Sequence, residues 1–142
     1  MPDNNGLIRF LEAQNQVYLK ALEEIKKGEK KSHWMWFIFP QIKGLGTSEH
    51  ARYFGIRDIE EATAYLQHPI LGKHLVEISK AVVAVPGKSA SDIFGYPDDL
   101  KLHSSMTLFS RVENSDPVFS EVINKYFGGL LDSRTLKLLE YK

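Results

Sequence analysis

The chain has 142 residues, 43% of them hydrophobic and 25% charged, with 18 basic residues against 18 acidic ones and no cysteine. That length suits one domain able to bury roughly two-thirds of its unfolded surface. Zero net charge argues against a chain-wide field for nucleic acid or anionic lipid, and the lack of thiols excludes disulfides, thiolate catalysis and zinc–thiolate sites.

The chain opens without the basic-then-apolar pattern of a secretion signal, and its longest apolar run, Trp34 to Phe39, is too short to span a bilayer. A reducing cytoplasm is the expected location. The first predicted element is one long amphipathic helix. Leu7, Leu11, Gln14, Tyr18, Leu22 and Ile25 recur at three- and four-residue steps, with Ile8, Val17 and Ala21 widening the stripe. Lys26 and Lys27 suit its negative end and Gly28 stops it.

The segment "SHWMWFIFP", Ser32 to Pro40, holds both tryptophans. Read as helix or as strand, its two faces are both apolar, so protein must surround it. Buried indole N–H groups need partners, and tryptophan beside histidine also suits stacking on a planar ligand. A core element and a pocket wall are compatible if one indole is core and the other lines a recess. The loop "IKGLGTSEHAR" then joins Lys43 to Gly44, Gly46, Thr47 and Ser48. It lacks the lysine of a phosphate-binding P-loop, and Glu49 stands where a dinucleotide fingerprint needs its third glycine. It reads either as a turn capped by Ser48, opening a short helix to Phe54, or as an anion site near Lys43 and Arg52.

Asp58 and Glu61 form a capping box for "IEEATAYLQH". The next helix begins near His68-Pro69 with a stripe of Leu71, Leu75, Ile78 and Val82, and "VVAV" is read as its end and not as a strand, because Pro86-Gly87 follows. "KSASDIFG" makes a short turn or helix. Pro97-Asp98-Asp99 starts "LKLHSSMTLFSRV", Asp116-Pro117 caps "VFSEVINKYF", Gly128-Gly129 closes it, and Asp132 caps "SRTLKLLEYK". The sum is an all-α single compact domain over residues 1–142, with about six to seven helices.

Within "DLKLHSSMTLFSR", Lys101 precedes Ser104 and Ser105 by three and four positions, placing an amine beside a hydroxyl on one helical face. The order is the reverse of the Ser-x-x-Lys pattern, and such hydroxyls commonly bond a carbonyl one turn back. Of the five histidines, His68 reads as a cap and His74 as a surface residue. No pair has zincin spacing, so no metal site is expected, and the acidic pairs fall where helices begin.

These blocks resemble a known family. "RFLEAQ" with Tyr18, "GEKKSHWMWFIFPQIKGLG", "EATAYLQHPILG", "KLHSSMTLF", and "FGG" leading to Asp132 and Thr135 are similar, in order and over nearly the whole chain, to the bacterial family known as domain of unknown function 1810. The resemblance implies a mainly helical fold and no assigned reaction. The family's occasional calpastatin label does not suit a chain with the apolar stripes of a packed domain. Where the family reads Leu-Gly-x-Arg-Leu, this chain has His74 at the arginine position, which argues against a charged site on that helix.

The candidate ligand-binding residues are therefore His33, Trp34, Trp36, Gln41, Lys43, Gly44, Gly46, Lys101, Ser104, Ser105 and Thr107. The expected ligand is a planar, anionic compound of nucleotide or sugar-phosphate type, ADP-ribose-like molecules among them, with no cofactor and no catalytic residue assigned. A tryptophan would stack on the base, His33 and Gln41 would read its edge, and the Gly44–Ser48 backbone, with Lys43 or Lys101, would hold the phosphate. The competing expectation is a non-catalytic helical adaptor that binds another protein through an apolar face. Neither nucleic acid nor a membrane is an expected partner.

Overall fold

The computed structural model describes residues 5–140, and these carry ten α-helices: α1 Asn5–Gln14, α2 Tyr18–Lys26, α3 Met35–Ile38, α4 Glu49–Phe54, α5 Ile59–Gln67, α6 Leu71–Ala84, α7 Ala90–Phe94, α8 Asp98–Ser110, α9 Val118–Phe127 and α10 Ser133–Glu140. The helical class is as expected, and the described residues contain no strand; the expected count of six to seven is too low. Part of the difference is the first helix, which breaks in two at Asn15–Val17. There the Val17 amide reaches only the Gln14 carbonyl, at 3.1 Å. Gln14 explains the break: it sits on the apolar stripe but is a buried polar anchor, donating through Nε2 to the Phe37 carbonyl (2.8 Å) and the Tyr65 hydroxyl (3.0 Å). The rest comes from short helices, α3, α4 and α7, whose lengths give periodicity little to register.

Several caps lie where the sequence places them. Ser48 accepts from the Ala51 amide at 3.1 Å, Asp58 from the Glu61 amide at 2.9 Å and Asp116 from the Val118 amide at 2.9 Å; the expected capping box at Asp58 is only half formed, because the Glu61 carboxylate accepts from the Arg57 amide at 2.8 Å. His68 accepts through Nδ1 from the Ile70 and Leu71 amides at the start of α6. Gly128 closes α9 in the left-handed region, φ 63°. The predicted last helix ran to Lys142; α10 ends at Glu140, and residues 141–142 lie outside the described residues.

Helix α8 is the hub. Leu102, Ser105, Met106, Thr107, Leu108 and Phe109 are all sealed from solvent, which is the signature of a helix wrapped on every side. It packs against α5, α7, α9 and α10, while α6 packs against α2, α5 and α9. Around it an aromatic chain runs from Phe10 to Tyr65 (5.1 Å, edge-on), Phe109 (5.3 Å) and Phe119 (5.9 Å). An isolated parallel bridge, Ile42 to Ile56, clamps the loop after α3: the Lys43 amide donates to Ile56 and the Ile56 amide to Gln41, both at 2.8 Å. This clamp holds Gln41 and the glycine-bearing loop beside α4.

His74 is not the surface residue it was expected to be. It is half-buried, with Nδ1 2.8 Å from Gln14 Oε1. Among the described residues no helix is long and apolar enough to cross a membrane.

Candidate functional site

The two tryptophans part company. Trp34 is fully buried and its indole N–H donates to Glu24 Oε1 at 3.0 Å. The same carboxylate accepts from the Lys31 amide (2.8 Å), the Ser32 amide (3.0 Å) and the Ser32 hydroxyl (2.7 Å). Burial alone would raise the Glu24 pKa; the Ser32 hydroxyl, the Lys31 amide, the indole and the Ser32 amide outweigh it and hold the group down at about 2. Trp34 is therefore a core residue, tied to α2 by a satisfied carboxylate. Trp36, two positions on, is only partly buried and reaches a cleft.

That cleft has a volume of about 570 Å³, within the range of small-ligand sites. One wall is Trp36, Gln41 and the loop from Leu45 to Ser48; the other is α8, through Leu100, Lys101, His103 and Ser104; Asp132 and Arg134 close one end. Lys101 Nζ lies over the Trp36 ring, 4.5 Å from its centroid, and 3.2 Å from Asp98 Oδ1. Asp98 is also held by Lys30, at 2.8 Å through its other oxygen. The His50 ring stacks on Trp36 at 4.7 Å and 23°. Arg134 donates to the Leu45 carbonyl at 3.1 Å, pinning the loop to α10.

Behind this wall sits a hydroxyl–carboxylate cluster. Asp132 Oδ2 accepts from Ser104 Oγ at 3.0 Å, from the Thr135 hydroxyl at 2.5 Å and from the Thr135 amide at 3.3 Å. The Asp132 amide in turn donates to Thr107 Oγ1 at 2.9 Å. Ser104 also bonds back to the Leu100 carbonyl at 3.2 Å. The Lys101 ammonium is engaged with Asp98 and Trp36, not with a serine, so the amine-beside-hydroxyl pattern does not become an activated nucleophile here. The arrangement suits binding: an aromatic face, two cations and a carboxylate with hydroxyl neighbours around one recess.

Of the residues singled out in the sequence, Trp36, Gln41, Gly46, Lys101 and Ser104 converge on the cleft. The others do not line it. His33 is exposed outside it and Trp34 is sealed in the core. Lys43 is exposed beyond the bridge, and Gly44, at φ 110°, turns against Leu138. Ser105 and Thr107 face the interior of α8's packing: Thr107 serves the Asp132 amide, and the sealed Ser105 hydroxyl has no hydrogen-bond partner among the described residues. The periodicity of α8 could not separate these, because a helix buried all round has no polar face to mark. Sequence reading missed Arg134 and His103, and saw Asp132 only as a cap. The lining role of Asp132 and Arg134 depends on α10 folding back onto α8, which no local signal shows. Among the described residues no group of three or more His, Asp or Glu is placed to hold a metal.

Compared with known families, residues 4–139 match the one described as "Protein of unknown function (DUF1810)". Among solved structures, the conserved hypothetical protein Rv1873 from Mycobacterium tuberculosis is 49% identical, with a TM-score of 0.94 and 99% of each chain covered. No curated protein matches the chain.

Proposed function

Since the chain belongs to the DUF1810 family, whose description assigns no reaction, we propose from the cleft itself that the protein binds a small anion that carries a planar ring, of nucleotide type, ADP-ribose-like compounds included. The observation that carries this reading is the placement of Lys101: its ammonium covers the Trp36 ring at 4.5 Å while sharing Asp98 with Lys30. A ligand with both a ring and a negative charge satisfies both partners at once. Its ring replaces the ammonium on the indole, and the released ammonium pairs with its anionic end. Asp98 is not abandoned in the exchange, because Lys30, itself nearly sealed, stays on it. Arg134 adds a second cation, and Asp132 with Ser104 offers acceptors to sugar hydroxyls.

The test is calorimetric titration with AMP, ADP-ribose, adenosine and ribose 5-phosphate. The expected result is saturable binding of the compounds that carry both ring and charge, with adenosine and ribose 5-phosphate at least about tenfold weaker. Equal binding of all four, or of none, contradicts it. A second reading, a non-catalytic adaptor for another protein, draws on the exposed Tyr96 and on Leu100 at the cleft's edge. It expects an apolar docking face, whereas Gln41, Lys101, Asp132 and Arg134 make this lining polar, so it stands second.

A further inference from the structure

A second cleft, about 850 Å³ in volume, opens where the turn between α1 and α2 meets the first half of α6, and it shares no lining residue with the first. Gln14 forms its floor. The Phe37 carbonyl can only accept, so Gln14 must direct its NH₂ there, and its Oε1 then faces His74 Nδ1 at 2.8 Å. Oε1 also can only accept, so Nδ1 carries the imidazole proton and Nε2 holds a lone pair. Burial lowers the His74 pKa, Glu77 opposes this and Lys73 adds to it; the net is downward, so the ring is neutral at pH 7. The two nitrogens of an imidazole point apart. With Nδ1 turned to Gln14, Nε2 lies on the opposite side of a ring that lines the cleft, and it has no hydrogen-bond partner among the described residues.

The ring is also fixed in place. Tyr18 lies flat on it at 3.6 Å and 6°, and the Tyr18 hydroxyl donates to Glu77 Oε1 at 2.5 Å. The result is a preorganised pair of acceptors, Nε2 of His74 and the carboxylate of Glu77, one turn apart on α6. Beside them stand Leu19, 77% exposed, and Ile70, 49% exposed, apolar surface that the fold itself does not use. Lys73, the cation at the rim, and Glu77 are both exposed, so solvent screens each of them in the free chain. A carboxylate and a neutral imidazole lone pair together call for a cationic donor, since desolvating the carboxylate against a neutral group would leave its charge uncompensated.

We propose that this second cleft binds a primary amine on an apolar body, the ammonium donating to the Glu77 carboxylate and to His74 Nε2 while the body lies against Leu19 and Ile70. The probe is benzylamine, with benzyl alcohol as the uncharged match, titrated into the full chain while the His74 Nε2 nitrogen resonance is followed by NMR. Saturable movement of that resonance by benzylamine is expected, with the alcohol at least about tenfold weaker. Glu77→Gln keeps an acceptor for the Tyr18 hydroxyl but removes the charge, and should weaken benzylamine by a similar factor. An unmoved resonance, alcohol binding as well as amine, or Glu77→Gln without effect overturns the proposal.

Discussion

Glu24 illustrates how one side chain decides what its neighbours become. The segment from Trp34 to Phe39 is apolar on both faces in any periodic reading, so the sequence alone pointed first to a core element, allowed a pocket wall beside it, and could not assign either indole to either role. What selects Trp34 is the carboxylate ten residues earlier, which answers its N–H. That pairing is long-range and leaves no local trace. It also sets a pH dependence. The carboxyl titrates at about 2 in the fold against 4.5 ordinarily. A depressed folded-state pKa adds stability above pH 4.5, lost as the pH falls toward 2. Glu24→Gln should therefore be less stable than the native chain by about 1–3 kcal/mol at pH 7. The gap should close on acidification to about pH 2, read as urea midpoints at several pH values. A gap that stays constant with pH would assign the loss to packing and not to charge.

At the scale of elements, most helix starts and stops were legible, because a cap is a local device: Ser48, Asp58, His68 and Asp116 each bond an amide two or three positions on. The break between α1 and α2 was not, because it turns on Gln14 finding partners on α5, α6 and the end of α3. Close contact between elements is equally invisible locally. At the α5–α6 corner a Cβ on Gly72 would lie 2.0 Å from the Leu66 carbonyl oxygen, backbone that cannot step aside. Gly72→Ala is expected to cost at least about 2 kcal/mol, seen as a lowered denaturation midpoint, although alanine is the better helix former. A neutral or stabilised variant would mean the corner is looser than its geometry. Likewise Asp132 fastens α10 to α8 through Ser104 and Thr107. Asp132→Ala should cost about 1–2 kcal/mol and raise amide exchange over Ser133–Glu140 while α8 stays protected. Uniform exchange across both helices would show that α10 is held by something else.

For the whole molecule, the sequence supported the all-helical class and the family, and five of its eleven candidate residues meet in one cleft. The other six were drawn in by two simplifications. Residues adjacent in a motif were taken to share a site, though Trp34 and Trp36 point to different places. The hydroxyls of α8 were taken as one face, though packing surrounds that helix and gives each hydroxyl its own partner or none. The cleft exists because the Ile42–Ile56 bridge sets the loop against α4 while α10 returns to α8, three separate stretches brought together by tertiary packing. The exchange of Lys101 from indole to ligand is the central claim, and the tryptophan emission reads it. Titrating AMP into the native chain and into Lys101→Ala should give a saturable change from Trp36 in both, with binding at least about tenfold weaker in the variant. A flat titration of the native chain, or equal affinity without the lysine, would contradict the account.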